Sequence, residues 1–231
     1  MYLGIDIGTS SVKTALLMKN GDIITNQAKY PDNIYKKTEH KIDLVEKTVK
    51  NSIKNLLKKF NTSSNKVESI GICSHGPSLI FVDEKGKPLT NIINWYDKRS
   101  IKEAKFLRNE YKEFNKDATS FESKVYWFKN NNSELFTSKN YILYPKDYII
   151  YKLVNEFSFD KSTASTISFY NSQKHTWNYA EYNLTENILP NTKFPWEIVG
   201  KTSTEFATKC GLSKGIPVVT GGIDAYCEAL G

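Results

Sequence analysis

The sequence predicts a mixed α/β fold, and three observations predict it. The chain opens on apolar runs separated by tight-turn residues, as an antiparallel β-meander does. A long segment then carries apolar residues at three- and four-residue spacing, one face of a helix. Beyond it, short apolar runs alternate with helix-like stretches to the end.

Each element follows from its own residues. Tyr2–Ile7 is an apolar run, Gly8-Thr9-Ser10-Ser11 has turn chemistry, and 12–17 is a second run. Asn20-Gly21 signals a hairpin into a third strand at 22–28. Ile42, Val45, Val49, Ile53, Leu56, Leu57 and Phe60 line one helix face, with lysines opposite, and Asn61-Thr62-Ser63-Ser64-Asn65 ends the helix. Residues 67–73, 79–82 and 92–95 read as strands, with a tight turn at 83–88. Residues 98–110 read as a helix with Ile101, Ala104 and Leu107 on one side, and 111–136 as short helices and polar loops. Pro145 suits the first turn of a helix through Leu153, because its missing N–H would have no partner there. A short strand at 156–160 precedes an aromatic region, 171–195, without assignable periodicity. A helix at 203–210 stopped by Gly211, a strand at 216–220, a Gly221-Gly222 turn and a helix starting near Asp224 complete the order.

Composition narrows the function classes. With 231 residues, 39% hydrophobic and 25% charged, the chain is globular and long enough to bury a core without disulfides. The net charge of +7 invites a nucleic-acid reading, but 32 basic residues include only Arg99 and Arg108 as arginines, and no basic run exceeds two. Arginine is the preferred residue for bidentate phosphate and base contacts, so a solvated lysine surface is the better reading. No apolar stretch reaches membrane-span length, and no signal segment precedes Tyr2, so a cytoplasmic location is expected, with neither membrane nor nucleic acid as partner. Cys73, Cys210 and Cys227, with His40, His75 and His175, have the spacing of neither a disulfide framework nor a zinc site.

Three turns carry candidate chemistry. In Asp6-Ile7-Gly8-Thr9-Ser10-Ser11-Val12-Lys13, the amides of Gly8 to Ser11 can form an anion nest, the hydroxyls of Thr9, Ser10 and Ser11 add donors, and Lys13 adds charge. Asp6 can hold a hydrated Mg ion beside bound phosphates. The alternative is a plain hairpin turn with Asp6 capping its own backbone. In Thr220-Gly221-Gly222-Ile223-Asp224, an ionised Asp224 at a helix start is a competent general base; the alternative is a helix cap. The third site pairs Ser74-His75-Gly76 with Trp95-Tyr96-Asp97-Lys98-Arg99. An aromatic face with carboxylate, guanidinium and imidazole is the mixture a sugar or polyol needs, although each residue also has an ordinary structural role open to it.

Taken together the turns resemble those of the FGGY carbohydrate kinases. Leu3 to Lys13 resembles the family's opening phosphate motif, and Gly71 to Gly76, the 83–88 turn and Asn94 to Arg99 follow its substrate segment in order. Phe121-Glu122-Ser123-Lys124-Val125-Tyr126-Trp127, Leu143 to Tyr148, Phe159 to Ser165, and Pro217 to Asp224 resemble its later elements. The resemblance implies a ribonuclease H-like, actin-type ATPase domain, with residues 1–231 as the N-terminal domain and a C-terminal nucleotide-binding domain outside this chain. It implies an ATP-dependent kinase with Mg, in which Asp224 is the catalytic base. Asp6, Gly8, Thr9, Ser10, Ser11 and Lys13 would then meet Mg-ATP, with Asp6 reaching Mg through water. Ser74, His75, Gly76, Trp95, Asp97 and Arg99 would meet the sugar. A ketopentose of xylulose type is favoured; gluconate, glycerol or erythritol are alternatives, and an actin-type ATPase module without sugar is the rival from another class. The chain alone is expected to be inactive, with a sugar or polyol and the C-terminal domain as partners and a homodimer left open. Asp147 and Asp160 read as structural.

Overall fold

The computed structural model describes residues 1–31, 37–60, 63–113 and 115–230. The first part of the chain forms β1 (Tyr2–Ile7), β2 (Ser11–Leu17), β3 (Ile23–Lys29), β4 (Glu39–His40), α1 (Ile42–Lys59), β5 (Ser69–Ser74), β6 (Ile80–Asp83) and β7 (Ile92–Ile93). Then come α2 (Ile101–Glu110), α3 (Phe121–Asn131), β8 (Asn140–Leu143), α4 (Pro145–Val154), β9 (Phe159–Asp160) and α5 (Lys161–Ala164). The last part holds β10 (Tyr170–Asn171), β11 (Thr176–Trp177), β12 (Thr192–Lys193), β13 (Ile198–Lys201), α6 (Glu205–Lys209), β14 (Pro217–Val219), β15 (Gly222–Ile223) and α7 (Asp224–Leu230). No helix among the described residues is long and apolar enough to cross a membrane.

The main sheet has the order β13-β14-β5-β1-β2-β3, with β15 also on β5. β1, β2 and β3 form the antiparallel meander that the sequence predicts, while β5 lies parallel to β1 and to both β14 and β15. Alternation decides which face is covered. Leu3, Ile5 and Ile7 of β1 and Val12 and Leu16 of β2 point to one side, where α1 lays down Ile42, Val45, Val49, Ile53 and Leu56, all buried. Each such side chain contributes about 1.5–3 kcal/mol by leaving water. The Lys41 N-cap of α1 makes no side-chain cap bond, so this apolar face holds the helix in place. The polar exceptions pair with each other: the Thr14 and Ser52 hydroxyls are 2.9 Å apart.

A second, aromatic cluster packs beside the sheet. Phe81, Phe121, Tyr126, Tyr144, Phe159 and Phe169 are buried there, mostly in tilted or edge-on ring contacts. The other face of the main sheet is open around Gly4, Asp6, Lys13, Gly71 and Cys73, which line a cavity of about 700 Å³.

Several boundaries differ from the sequence reading for physical reasons. The 111–136 stretch contains the eleven-residue helix α3, masked in the sequence because its Glu122, Ser123 and Lys124 are polar yet buried. The 171–195 region holds two-residue strands, too short for a period to show: β10 pairs with β11, and β12 runs parallel to β9. The 92–95 strand shrinks to β7, freeing Trp95 from the sheet. Phe60 caps α1 at the surface instead of extending its buried face. Asn61 and Thr62, expected to end that helix, lie outside the described residues.

Thr220 and Gly221 interrupt the strand beside β5, so it becomes β14 and then β15. Gly221 has φ +67°, and a Cβ there would lie 1.9 Å from the Ile72 carbonyl oxygen. Gly215 has φ +92° but open space around it. Gly215→Ala should therefore cost only the left-handed penalty of roughly 1–2 kcal/mol. Gly221→Ala should cost clearly more, because backbone must also move; urea denaturation of the two variants side by side measures the difference.

Candidate functional site

β1, β5 and β15 are parallel, so their C-terminal ends bring three turns to one edge of the sheet, where α/β folds place ligands. Gly76 fixes the fit between two of them. A Cβ on Gly76 would come within 3.0 Å of both Ile223 Cγ2 and Tyr144 Cε2. The His75-Gly76 turn therefore packs directly on the residue before Asp224.

The first turn is narrower than the four-amide nest read from sequence. Gly8 donates its amide to the Ser11 carbonyl at 3.0 Å, closing the hairpin. Ser11 is buried, and its hydroxyl accepts from Gln27 Nε2 at 2.9 Å. Gly8 and Ser11 shape the turn, while Thr9 and Ser10 stand at its rim. Asp6 and Lys13 face each other across β1 and β2, Nζ to Oδ2 3.5 Å, and the Cys73 thiol donates to Asp6 Oδ1 at 3.7 Å. A single half-exposed carboxylate beside a phosphate turn suits a hydrated Mg ion that arrives with its phosphates, since Mg keeps several waters and takes one or two carboxylates. Among the described residues no group of three or more His, Cys, Asp or Glu side chains converges to hold a metal.

The second site divides into a working surface and its supports. Trp95 is 43% exposed, and its indole Nε1 donates to Thr9 Oγ1 at 3.2 Å, so the Trp95 loop touches the Gly8–Ser11 turn. His75 is buried, with Nδ1 2.8 Å from Ser78 Oγ; burial pushes its pKa down to about 3, so the ring is neutral. Ser74 faces inward: its hydroxyl donates to the His75 carbonyl and accepts the Lys146 amide, each at 3.3 Å. Asp97 is also turned in. Arg99 Nε and Nη2 each donate to it at 2.9 Å, and although burial alone would push it up, Arg99 holds its carboxyl below the usual range. Arg99 in turn stacks over Trp127 at 5.0 Å. Ser74, Asp97 and Arg99 thus brace the loops that present His75, Gly76 and Trp95.

Asp224 opens α7, half-buried, with Oδ1 accepting the Ala225 amide at 2.8 Å. Burial first, and then the Asp6 charge, push its pKa above the ordinary value.

Sequence reasoning gives no individual role to four residues, three of which lie in segments it singles out. Asn94 Nδ2 donates to the Lys37 carbonyl at 2.9 Å and lies 3.2 Å from His40 Nδ1. His40 Nε2, His75 Nε2 and Asn94 Oδ1 are buried without a partner among the described residues. Lys124 and Lys146 are wholly buried and reach the loop carbonyls. The pairing of these residues spans long sequence separations, and no local spacing announces it.

Comparison with known proteins bears on the family and the fold. The sequence model of the FGGY family of carbohydrate kinases, N-terminal domain, matches residues 1–231. A xylulose kinase of Staphylococcus epidermidis is 27% identical over 242 residues, covering 100% of this chain and 48% of that protein. A gluconokinase of Bacillus licheniformis is 28% identical over 244 residues, covering 99% of this chain and 47% of that protein. The chain spans about half the length of the curated relatives it matches. Among solved structures, a ligand-bound xylulose kinase from Lactobacillus acidophilus superposes with TM-score 0.85 at 23% identity, over 99% of this chain and 49% of that one. The fold is therefore the actin-like α/β ATPase fold of these kinases.

The buried imidazoles set a pH dependence. Burial pushes His40 down to about 4 and His75 down to about 3, whereas unfolded histidine titrates near its ordinary value. Between pH 7 and 5 the unfolded state therefore binds more protons, and stability should fall with pH by about 2–4 kcal/mol. Denaturation at the two pH values measures the loss, and NMR should show both rings failing to titrate in that window.

Proposed function

The chain belongs to the FGGY family of carbohydrate kinases, and on that premise we propose that it is the sugar-binding, base-carrying domain of a cytoplasmic ATP-dependent kinase acting on a ketopentose. One observation carries the reading: the Trp95 indole is hydrogen-bonded to Thr9, which sets the aromatic sugar platform against the phosphate turn with Asp224 on the same edge. A sugar hydroxyl lying on Trp95 and a γ-phosphoryl group at Thr9 and Ser10 are neighbours.

The chemistry follows from placement. Phosphoryl transfer asks the protein for positioning and charge balance more than for covalent work. Asp224 accepts the hydroxyl proton as that oxygen attacks the γ-phosphorus and the bond to the β-phosphate oxygen breaks. Burial and the Asp6 charge raise the Asp224 pKa, which makes its carboxylate a stronger base. Lys13 is 62% exposed, and its pair with Asp6 is weak enough to open for phosphate. Mg bound with the nucleotide would balance phosphate charge, with Asp6 holding its water shell. The adenosine pocket belongs to a C-terminal domain in the remaining length of the protein, so residues 1–231 alone turn over no sugar.

Xylulose-type sugars are favoured over gluconate by the state of Arg99. An aldonate brings a carboxylate that needs a free cation, and the Arg99 guanidinium is already bidentate with Asp97 and 3.5 Å from Glu39. Neutral hydroxyls suit what remains.

Two measurements on the full-length protein test this. An ADP-release screen across xylulose, ribulose, gluconate, glycerol and erythritol should give turnover with a neutral ketopentose first. Asp224→Asn should cut kcat by about 10²–10⁴-fold with sugar affinity kept, and the acid limb of the wild-type kcat/KM profile should lie above the ordinary Asp range. ATP turnover indifferent to every sugar would replace the kinase reading with that of a sugar-independent ATPase.

A further inference from the structure

Burying an ammonium is costly unless its protons are used, yet Lys124 and Lys146 are both 0% exposed. Each reaches loop backbone of the site, Lys124 through two carbonyls and Lys146 through one carbonyl beside two carboxylates. Lys124 stands in α3, and its Nζ donates to the carbonyls of Pro77 at 2.8 Å and Trp95 at 3.0 Å. Pro77 follows the His75-Gly76 turn, and Trp95 heads the aromatic loop. One side chain on a rigid helix thus sets the spacing between the two loops that face the sugar.

Lys146 stands in the first turn of α4, and its ammonium hydrogen-bonds to two acceptors and forms an ion pair with a third group. Its Nζ contacts Asp147 Oδ1, lies 2.8 Å from Asp160 Oδ2 and donates to the Thr220 carbonyl at 3.3 Å. Thr220 is the residue at which β14 breaks, one before the Gly221 that presses on β5. Asp160 is anchored independently, because its Oδ1 caps α5 by accepting the Thr163 amide at 2.7 Å. The backbone amide of Lys146 is held by Ser74 Oγ. The ammonium therefore pins the start of the turn that delivers Asp224.

We infer that the two buried lysines are positioning residues with separate duties: Lys124 holds the sugar-side loops together, and Lys146 holds the base turn. The inference rests on the functional reading above for what the loops do, but not for the contacts themselves. Neither lysine touches the reacting atoms. Loosening the sugar loops weakens binding, whereas loosening the base turn misaligns the proton acceptor after binding, so the two defects fall on different kinetic constants.

The test uses the full-length protein. Lys124→Met leaves only carbonyls behind. Lys146→Met would strand both Asp147 and Asp160, so it is combined with Asp147→Asn, which still accepts the Tyr144 amide, while Asp160 Oδ1 keeps its cap and its Oδ2 loses its cation. Circular dichroism and thermal melts first establish that the variants fold. Lys124→Met should raise sugar KM about tenfold with kcat little changed, and K146M/D147N should lower kcat about tenfold or more with KM little changed. Hydrogen exchange should quicken in peptides spanning 76–79 and 95–98 for the first variant, and 220–225 for the second. Unchanged constants in folded variants, or both variants moving kcat and KM alike, would overturn the division of labour. If wild-type protein turns over no sugar, or D224N keeps its rate, the functional reading has failed instead. Exchange alone then decides the positioning: quickening confined to the named peptides upholds it, and a uniform or absent change overturns it. Should K146M/D147N not fold, the triple variant adding Asp160→Asn takes its place, and failure of both assigns Lys146 to the fold and overturns its half of the proposal.

Discussion

The contact between Gly221 and the Ile72 carbonyl governs the rest of the site. Only a glycine can bring its backbone that close, with φ +67° and no room for a Cβ. The contact breaks one strand into β14 and β15, so the chain leaves the edge of β5 and returns to it two residues later in parallel register with Cys73 and Ser74. That return places Ile223 against Gly76 and starts α7 at Asp224. Without the break, the strand would run on beside β5 and Asp224 would alternate with its neighbours into the sheet. The proposed base thus owes its position to a backbone contact between two strands, and the sugar-side turn is packed against the same short segment.

Charge is handled in opposite ways inside and outside. Asp6 and Lys13 are partly exposed and 3.5 Å apart, a pair worth under about 1 kcal/mol, so a phosphate or a hydrated cation competes with it easily. Lys146, with Asp147 and Asp160, is sealed from water, where removing one partner leaves a bare charge and costs roughly 3–5 kcal/mol. The first arrangement can respond to a ligand and the second cannot. This is the order the proposed phosphoryl transfer would require, with a yielding surface for a nucleotide and a fixed frame for the proposed base. The net charge of +7 has little part in it, since the lysines that matter are one on the rim and two that no solvent reaches.

Much of this was legible in the sequence wherever a period or a turn carries the signal. The meander, the buried face of α1 and the glycine turn before Asp224 are local patterns, and all three are present. α3 was not legible, because burying Glu122, Ser123 and Lys124 erases the apolar period. The two-residue strands between Tyr170 and Lys193 are shorter than any period. In the candidate site, Asp6, Thr9 and Asp224 are proposed from their place at strand ends, and the structure brings those ends to one edge. The inward turn of Asp97 and Ser74 could not, because it depends on Arg99 stacking over Trp127 and on the Lys146 amide. Asp147 and Asp160 read as structural acids and are structural, but their shared partner lies in Lys146, a residue that looks like ordinary surface lysine until the fold closes over it.

The interior of the sugar-side half is neutral where it is not internally paired. Burial lowers both His40 and His75, so at neutral pH the two rings are uncharged, each with one nitrogen left without a partner among the described residues, beside Asn94 Oδ1. Arg99 is paired with Asp97 and Glu39, and Lys124, which burial pushes down to about 7, donates to two carbonyls. A carboxylate entering such a lining would lose its water and meet, in Arg99, a guanidinium already paired, which is a steep penalty. A hydroxyl loses less and can both donate and accept, matching uncharged nitrogens and amide oxygens. The same neutrality that makes the fold sensitive to acid is what the proposed preference for a neutral polyhydroxy substrate rests on.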